Sequence, residues 1–307
     1  MTFKLEFDTS PLYELNFSFG IFKRPLGMRF LKTLDIGVEW NPTVKSMVGD
    51  EFVKKVENAG ELSFLNFIDV LIYESQRKQH VNDFLQWLEQ LSIGGIYEVL
   101  APYLTHHSGL PILLDEERKK CVELLYEWNE KYFSTLSQLP GQIKADVSKS
   151  EELFKFESTE DLLLKLTEGI TIEPTTGLDT VILTPTTHYR PLSAVYINKK
   201  INIVRYPLYF GEDLLKLERT RITNIGRAIS DESRLEMLKI LSTQKYNLTE
   251  LAQRLGTTKA NAHHHLVFLR IAGLLKVHVI EGKSLYYSLN SNFTENLKEK
   301  LDSLFLY

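Results

Sequence analysis

The stretch from Asn247 to Asn290 constrains the fold more tightly than any other part of the chain. Asn247-Leu248-Thr249-Glu250 sets a capping side chain three residues before a carboxylate, the reciprocal arrangement that opens a helix. Leu248, Leu251, Ala252 and Leu255 follow at helical spacing, so one face of this helix has to be buried, and Gly256 stops it. Thr258 then caps a second helix, whose buried stripe is Ala262, Leu266 and Leu269, while Lys259, Asn261, His263 and His264 fall elsewhere on the cylinder. Gly273 ends it. Val277 to Ile280 and Leu285 to Leu289, β-branched and aromatic, flank a loop containing Glu281, Gly282 and Lys283 and read as a hairpin. Two short helices around a Gly-containing turn, followed by a hairpin, make a winged helix-turn-helix.

Such a unit suits duplex DNA, because a helix about 10 to 12 Å wide enters a major groove and presents its amino-terminal residues to base edges. Asn261 offers the donor and acceptor pair that adenine needs, and Lys259 can reach guanine or phosphate. Lys283 at the wing tip is placed for a phosphate contact, which positions without reading sequence. The charge agrees. Between Arg219 and Asn290 there are 11 Lys and Arg against 5 Asp and Glu, although the whole chain has a net charge of -4. A basic segment on an acidic chain is the footprint of nucleic-acid binding by one part alone.

Two motifs carry a family resemblance. Ala228-Ile229-Ser230-Asp231-Glu232-Ser233-Arg234-Leu235 with Leu238-Lys239-Ile240-Leu241 resembles the opening helix of the arsenical-resistance-repressor (ArsR-like) family of bacterial winged-helix regulators. His263-His264-His265-Leu266-Val267-Phe268-Leu269-Arg270-Ile271-Ala272-Gly273-Leu274 resembles its recognition helix, with His263 where a serine is usual. The resemblance covers about the last third of the chain. It implies a sequence-specific regulator of transcription, of the repressor type, that pairs as a homodimer through its outer helices. Leu214, Leu217, Arg221, Ile225 and Ala228 form one such stripe, and Phe293, Leu297, Leu301, Leu304 and Phe305 the other; a winged helix of this size is not expected to bury both. Thiol sensors of the family place cysteines in the helix before the recognition helix, where this chain has Asn247 and Thr249. Members that bind zinc on the last helix use Asp and His there, and residues 292–307 contain no His. The resemblance therefore implies neither usual metal site, and no metal or other cofactor is expected.

At 307 residues the chain should hold two domains, and 43% hydrophobic residues suffice for sizeable cores. Phe3, Leu5 and Phe7 alternate with Lys4 and Glu6 as in a half-buried strand, and Ser10-Pro11 opens a helix. From Pro42 to about Ser148 the pattern is helical, and Leu153, Phe156, Leu162, Leu163 and Leu166 extend it to about Glu168. The period then changes. Thr180 to Thr184, Ala194 to Ile197 and Ile201 to Tyr206 read as an antiparallel sheet, to which the amino-terminal strand is a candidate addition. Phe7 to Leu15, and Leu183-Thr184-Pro185 leading to Arg205-Tyr206-Pro207, are similar to a domain fused before the winged helix in some ArsR-like regulators. The fold class is thus α+β: a mainly helical amino-terminal domain with a small antiparallel sheet over residues 1–210, a sensor or regulatory unit, then a winged helix over residues 211–307 for DNA binding and dimerisation.

The candidate DNA-contacting residues are Thr258, Lys259, Asn261, His263, His264 and Lys283. Consecutive histidines point about 100° apart and do not converge on one ion, and His265 lies near the buried stripe. His106-His107 with Ser108, Asp115 and Cys121 lacks a third ligand at recognisable spacing, and apolar neighbours make Cys121 a buried thiol rather than a nucleophile, so no catalytic or metal residue is assigned. A single cysteine fits a reducing compartment, and no apolar stretch is long enough for a signal peptide or a membrane span, so the expected location is cytoplasmic. Tyr73, Trp87, Tyr97, Tyr103 and Tyr126 could line a pocket for a small-molecule effector or fill a core. A different class stays open: an enzymatic or small-molecule-binding amino-terminal domain, with the winged helix as a protein-interaction module.

Overall fold

A computed structural model of the chain describes residues 3–104, 110, 113–209, 211–280 and 285–305. The wing-tip residues Glu281, Gly282 and Lys283, and His106, His107 and Ser108, lie outside the described residues, as do the side chains of Leu214, Leu304 and Phe305.

Strand β1 (Lys4–Phe7) is followed by α1 (Leu12–Lys23), α2 (Met28–Leu31), α3 (Trp40–Val48), α4 (Asp50–Asn58), α5 (Leu65–Glu74), α6 (Val81–Gln90), α7 (Ile93–Leu100), α8 (Leu114–Lys131), α9 (Leu139–Phe154) and α10 (Thr159–Thr167). Then come β2 (Ile170–Ile172), β3 (Thr180–Thr186), β4 (Ala194–Ile197) and β5 (Ile201–Pro207). The last third holds α11 (Leu214–Ile229), α12 (Glu232–Leu241), β6 (Tyr246–Asn247), α13 (Leu248–Arg254), α14 (Lys259–Ile271), β7 (Leu275–Val279), β8 (Tyr286–Leu289) and α15 (Phe293–Phe305). Trp128 of α8, fully buried, sits at the centre of the helical layer against Phe19, Phe22, Phe52 and Tyr132, and its indole N–H donates to Ser18 Oγ at 3.2 Å. Leu153 and Phe156, by contrast, are exposed rather than part of an apolar stripe.

The first sheet has the order β1-β3-β5-β4 and is mixed, not antiparallel as expected from the sequence: β1 pairs with β3 and β3 with β5 in parallel, and only β4 with β5 is antiparallel. The reason is burial on both faces, the normal condition of parallel strands. Ile182, Ile201 and Ile203 point into the helical layer, while Val181, Leu183, Val204 and Tyr206 belong to the core that contains the winged helix. The amino-terminal strand does join, and the helical layer supplies the long crossover that a parallel β1–β3 pair requires. β1 ends opposite Leu183, so Pro185, which has no N–H to donate, lies beyond the reach of that neighbour.

The second sheet, of order β2-β7-β8-β6, adds a strand to the wing. β2 pairs in parallel with β7, Ile170 opposite Val277 and Ile172 opposite Val279. Its three residues are too few for alternation to show in the sequence. Gly169 makes the approach possible: at φ +123° it lies so close to β7 that a Cβ would stand 2.5 Å from the Leu275 carbonyl oxygen. The Val277 N–H donates to the Gly169 carbonyl at 2.8 Å.

The outer helices α11 and α15 pack on each other. Ile225 and Ala228 are buried within the chain, with Phe293 and Leu297 half-buried against the same core, so more of the two stripes is covered internally than the sequence suggested. Leu215, Ile229 and Leu235 stay exposed.

Candidate nucleic-acid interface

The helix-turn-helix forms from the local signals that mark it. Asn247 Oδ1 accepts from the Glu250 N–H at 3.0 Å while Glu250 Oε2 accepts from the Asn247 N–H at 2.9 Å, closing the capping box of α13. Thr258 Oγ1 accepts from the Asn261 N–H at 3.2 Å and caps α14. Ala262, Leu266 and Leu269 are buried against Leu251 and Ala252 of α13. β7 and β8 pair antiparallel, Leu275 opposite Leu289 and Val277 opposite Tyr287. Arg234 of α12, itself buried, donates to the Arg227 and Ala228 carbonyls at the end of α11 and lies 4.9 Å from the Phe268 ring of α14. One guanidinium thereby ties three helices together.

The first turn of α14 is open, with Thr258, Lys259 and Asn261 exposed. Asn261 Nδ2 donates to Thr257 Oγ1 at 3.0 Å, which orients the amide over that turn. His264 is half-buried, edge-on to Phe268 at 5.0 Å, and burial with the cations Arg29 and Arg234 nearby lowers its pKa. His263 is exposed although stacked on Phe30 at 6.1 Å, and the partial desolvation there, followed by Arg270, lowers its pKa as well. His265 is buried, its Nδ1 3.8 Å from Asp231 Oδ1. Lys283 cannot be placed, being outside the described residues. Among the described residues no three His, Cys, Asp or Glu side chains are grouped to hold a metal ion, and burial pushes the Cys121 thiol up to about 12.

A second side of α14, outside the stripe of Ala262, Leu266 and Leu269 expected from the sequence, is also covered. Val267 and Ile271, on the side of the helix away from its core stripe, are buried with Leu34 and Leu192, and Leu26, Phe30, Ile36 and Tyr189 pack around them. Arg270 Nη2 donates to the Ser193 carbonyl at 3.0 Å. The signal was present: apolar residues at 266–269 and again at 271 give α14 a wider apolar face than one surface helix needs.

Two buried polar clusters arise from the amino-terminal stretches singled out above. Glu14 accepts from the Thr187 and His188 backbone N–H groups and from the Thr186 and Thr187 hydroxyls, with His188 Nδ1 at 2.6 Å. Burial pushes this carboxyl up, but the His188 ring and those hydrogen bonds outweigh it and hold it at about 2. Arg205 Nη2 donates to Asp69 Oδ2 at 2.6 Å, and Asn16 donates to the other oxygen at 3.0 Å. An open cavity of about 310 Å³ lies beside this pair, lined by Asn16, Phe17, Arg24, Leu26, Asp69 and Tyr196 among others. None of Tyr73, Trp87, Tyr97, Tyr103 and Tyr126, for which both a pocket and a core role were open, lines it.

The family described as "Bacterial regulatory protein, arsR family" is matched over residues 231–277. The chain is 31% identical over 90 residues to the cadmium resistance transcriptional regulatory protein CadC homolog of Staphylococcus aureus, a match covering 29% of this chain and 74% of that relative. It is 29% identical over 75 residues to the transcriptional repressor SdpR of Bacillus subtilis (strain 168), covering 24% and 82%. A solved ArsR-like transcriptional regulator from Rhodococcus sp. RHA1 aligns over 28% of this chain and 80% of its own at 24% identity, with a TM-score of 0.26. On the match of its helix-turn-helix and the identity it shares over most of a relative's length, the chain belongs to the arsR family of bacterial regulatory proteins.

Proposed function

We propose that the protein is a cytoplasmic, homodimeric, sequence-specific DNA-binding regulator of transcription, acting as a repressor. The observation that carries this reading is the open first turn of α14, with Lys259 and Asn261 exposed on a helix whose Ala262, Leu266 and Leu269 stripe is buried in the core. Asn261 reads a base edge, Lys259 meets guanine or phosphate, and Thr258 fixes the start of the helix. His264, neutral near pH 7, serves as a hydrogen-bonding group rather than a cation. Lys283 adds a phosphate contact from the wing. The exposed Leu215, Ile229 and Leu235 support a second copy pairing along α11 and α12, which sets two recognition helices on half-sites about 10 base pairs apart or a multiple of that.

The regulator is not a thiol metal sensor: its one cysteine is buried in α8, in the helical layer. Residues 1–210 supply the input and residues 211–307 the output. For a small-molecule input the cavity beside Arg205 and Asp69 is the site we favour, because a series of ring contacts leads from its wall to α14. Phe17 meets Tyr189 at 5.6 Å, Tyr189 meets Phe30 at 5.6 Å, and Phe30 meets His263.

Titrating the full chain against duplex DNA at increasing salt tests the reading, since released counterions make a true DNA binder lose affinity steeply. Once a preferred site is selected from random duplexes, Asn261→Ala or His264→Ala is expected to cost roughly 1 to 3 kcal/mol on it. Retention of full specific affinity by both would remove α14 from its assigned role.

A further inference from the structure

In an isolated winged helix the outer side of the recognition helix faces solvent or DNA alone. Here α2 and the residues after it occupy part of that side. Phe30 stacks on His263, and Leu34 is buried with Val267 and Ile271. The contact is a packed apolar one: Val267 is 2% exposed and Ile271 8%. α2 and α14 therefore form one body, and whatever approaches the first turns of α14 also meets α2.

The chemistry of α2 decides what it can meet. Residues 15–34 contain Lys23, Arg24, Arg29 and Lys32 and no Asp or Glu, within an amino-terminal portion that is acidic as a whole. Met28, Arg29 and Lys32 are exposed. The following acidic residue, Asp35, is held by Arg190, with its Oδ2 3.0 Å from Nε and 2.9 Å from Nη2. Arg29 is close enough to His264 to bear on its charge. A segment that occluded the helix by mimicking nucleic acid would carry carboxylates, and this one carries cations.

Resting on the DNA-binding reading, we infer that α2 is a second DNA-contacting element, in which Arg29 and Lys32 bind backbone phosphates beside the groove that α14 enters. One helix about 10 to 12 Å across fills a major groove about 12 Å wide, so a helix packed on its side lies over the phosphate ridge and not in the groove. Phosphate contacts there add affinity and fix register without reading sequence. The amino-terminal portion is thereby part of the DNA-binding surface.

The test uses the full chain and a labelled 30-base-pair duplex of random sequence, with affinity followed by fluorescence anisotropy between about 50 and 200 mM salt. The double variant Arg29→Ala/Lys32→Ala is expected to bind roughly tenfold more weakly at low salt, with the slope of log affinity against log salt reduced by about 2 per protomer, near 0.9 per phosphate contact. Both residues are exposed, so an unchanged thermal melt should accompany the loss. Phe30→Ala keeps both charges but removes the ring that seats α2 on His263, and is expected to weaken binding too. An unchanged slope in the double variant, while Lys259→Ala reduces it, would overturn the role of α2 and leave that of α14 standing. Tighter binding by Phe30→Ala or the double variant would make α2 a cover and overturn the inference. Absence of salt-dependent binding by the parent protein would overturn both readings.

Discussion

Gly169→Ala should loosen the seam between β2 and the wing strand β7. At φ +123° the residue occupies a region that L side chains rarely adopt, which costs about 1 to 3 kcal/mol for a non-glycine residue. The added Cβ would also stand 2.5 Å from the Leu275 carbonyl oxygen, a backbone atom that cannot rotate away. Relieving that contact to an ordinary 3.4 Å moves β2 off β7 by about 0.9 Å, and the 2.8 Å bond from the Val277 N–H to the Gly169 carbonyl lengthens past the hydrogen-bonding range. Leaving a buried pair unmade costs about 1 to 3 kcal/mol more. The total is roughly 2 to 6 kcal/mol. For 307 residues unfolding together the unfolding entropy is about 0.6 kcal/mol per degree, so the melting temperature should fall by roughly 3 to 10 °C. Gly273→Ala is the control: φ is +69° and nothing lies within 4 Å of its Cβ, so only backbone strain of about 1 kcal/mol applies, or roughly 2 °C. Differential scanning calorimetry on both variants measures the contrast. Equal shifts would refute the close-approach argument and with it the view that β2 is a working strand of the wing sheet.

Asp69→Asn should destabilise the protein by about 3 to 5 kcal/mol in urea unfolding, because it leaves the buried Arg205 guanidinium without its counter-charge, whereas Arg24→Ala, in an exposed pair with Glu61, should stay within about 1 kcal/mol. Comparable losses for the two would contradict the burial assigned to Arg205. His278 sits between Thr171 and Ser288 at 2.8 Å each, and burial, followed by Lys245, lowers its pKa to about 4. Since the unfolded chain takes up this proton first, near pH 6.5, the contribution to stability is whole above that pH and is lost as pH falls toward about 4. His278→Gln should flatten the fall in melting temperature across that window, and an unaltered profile would count against a buried neutral ring. Thr258→Ala removes the cap of α14 and should cost about 1 kcal/mol. Hydrogen exchange at Asn261 should quicken accordingly, and unchanged protection there would show that the cap does not hold the first turn.

The winged helix was legible because its signals are local. Asn247 with Glu250, Thr258 before α14, and the hairpin strands each act within a few residues, so short-range hydrogen bonding and periodicity determine them whatever surrounds them. The sequence also determined where the strands of the first sheet lie, from β-branched runs at 180, 194 and 201, but not their direction. Direction depended on the second face: Val181 and Ile182 are adjacent apolar residues, and only the presence of cores on both sides turns that run into a buried parallel strand instead of an antiparallel one with a wet face. Contacts across long sequence separations were decided by tertiary structure alone. Ile170 meets Val277 and Phe30 meets His263, pairs more than a hundred residues apart that no local pattern encodes. The apolar Val267 and Ile271 announced that something covers α14. What covers it depended on how the chain closes, because an apolar side chain specifies burial and is indifferent to the identity of the residue that buries it.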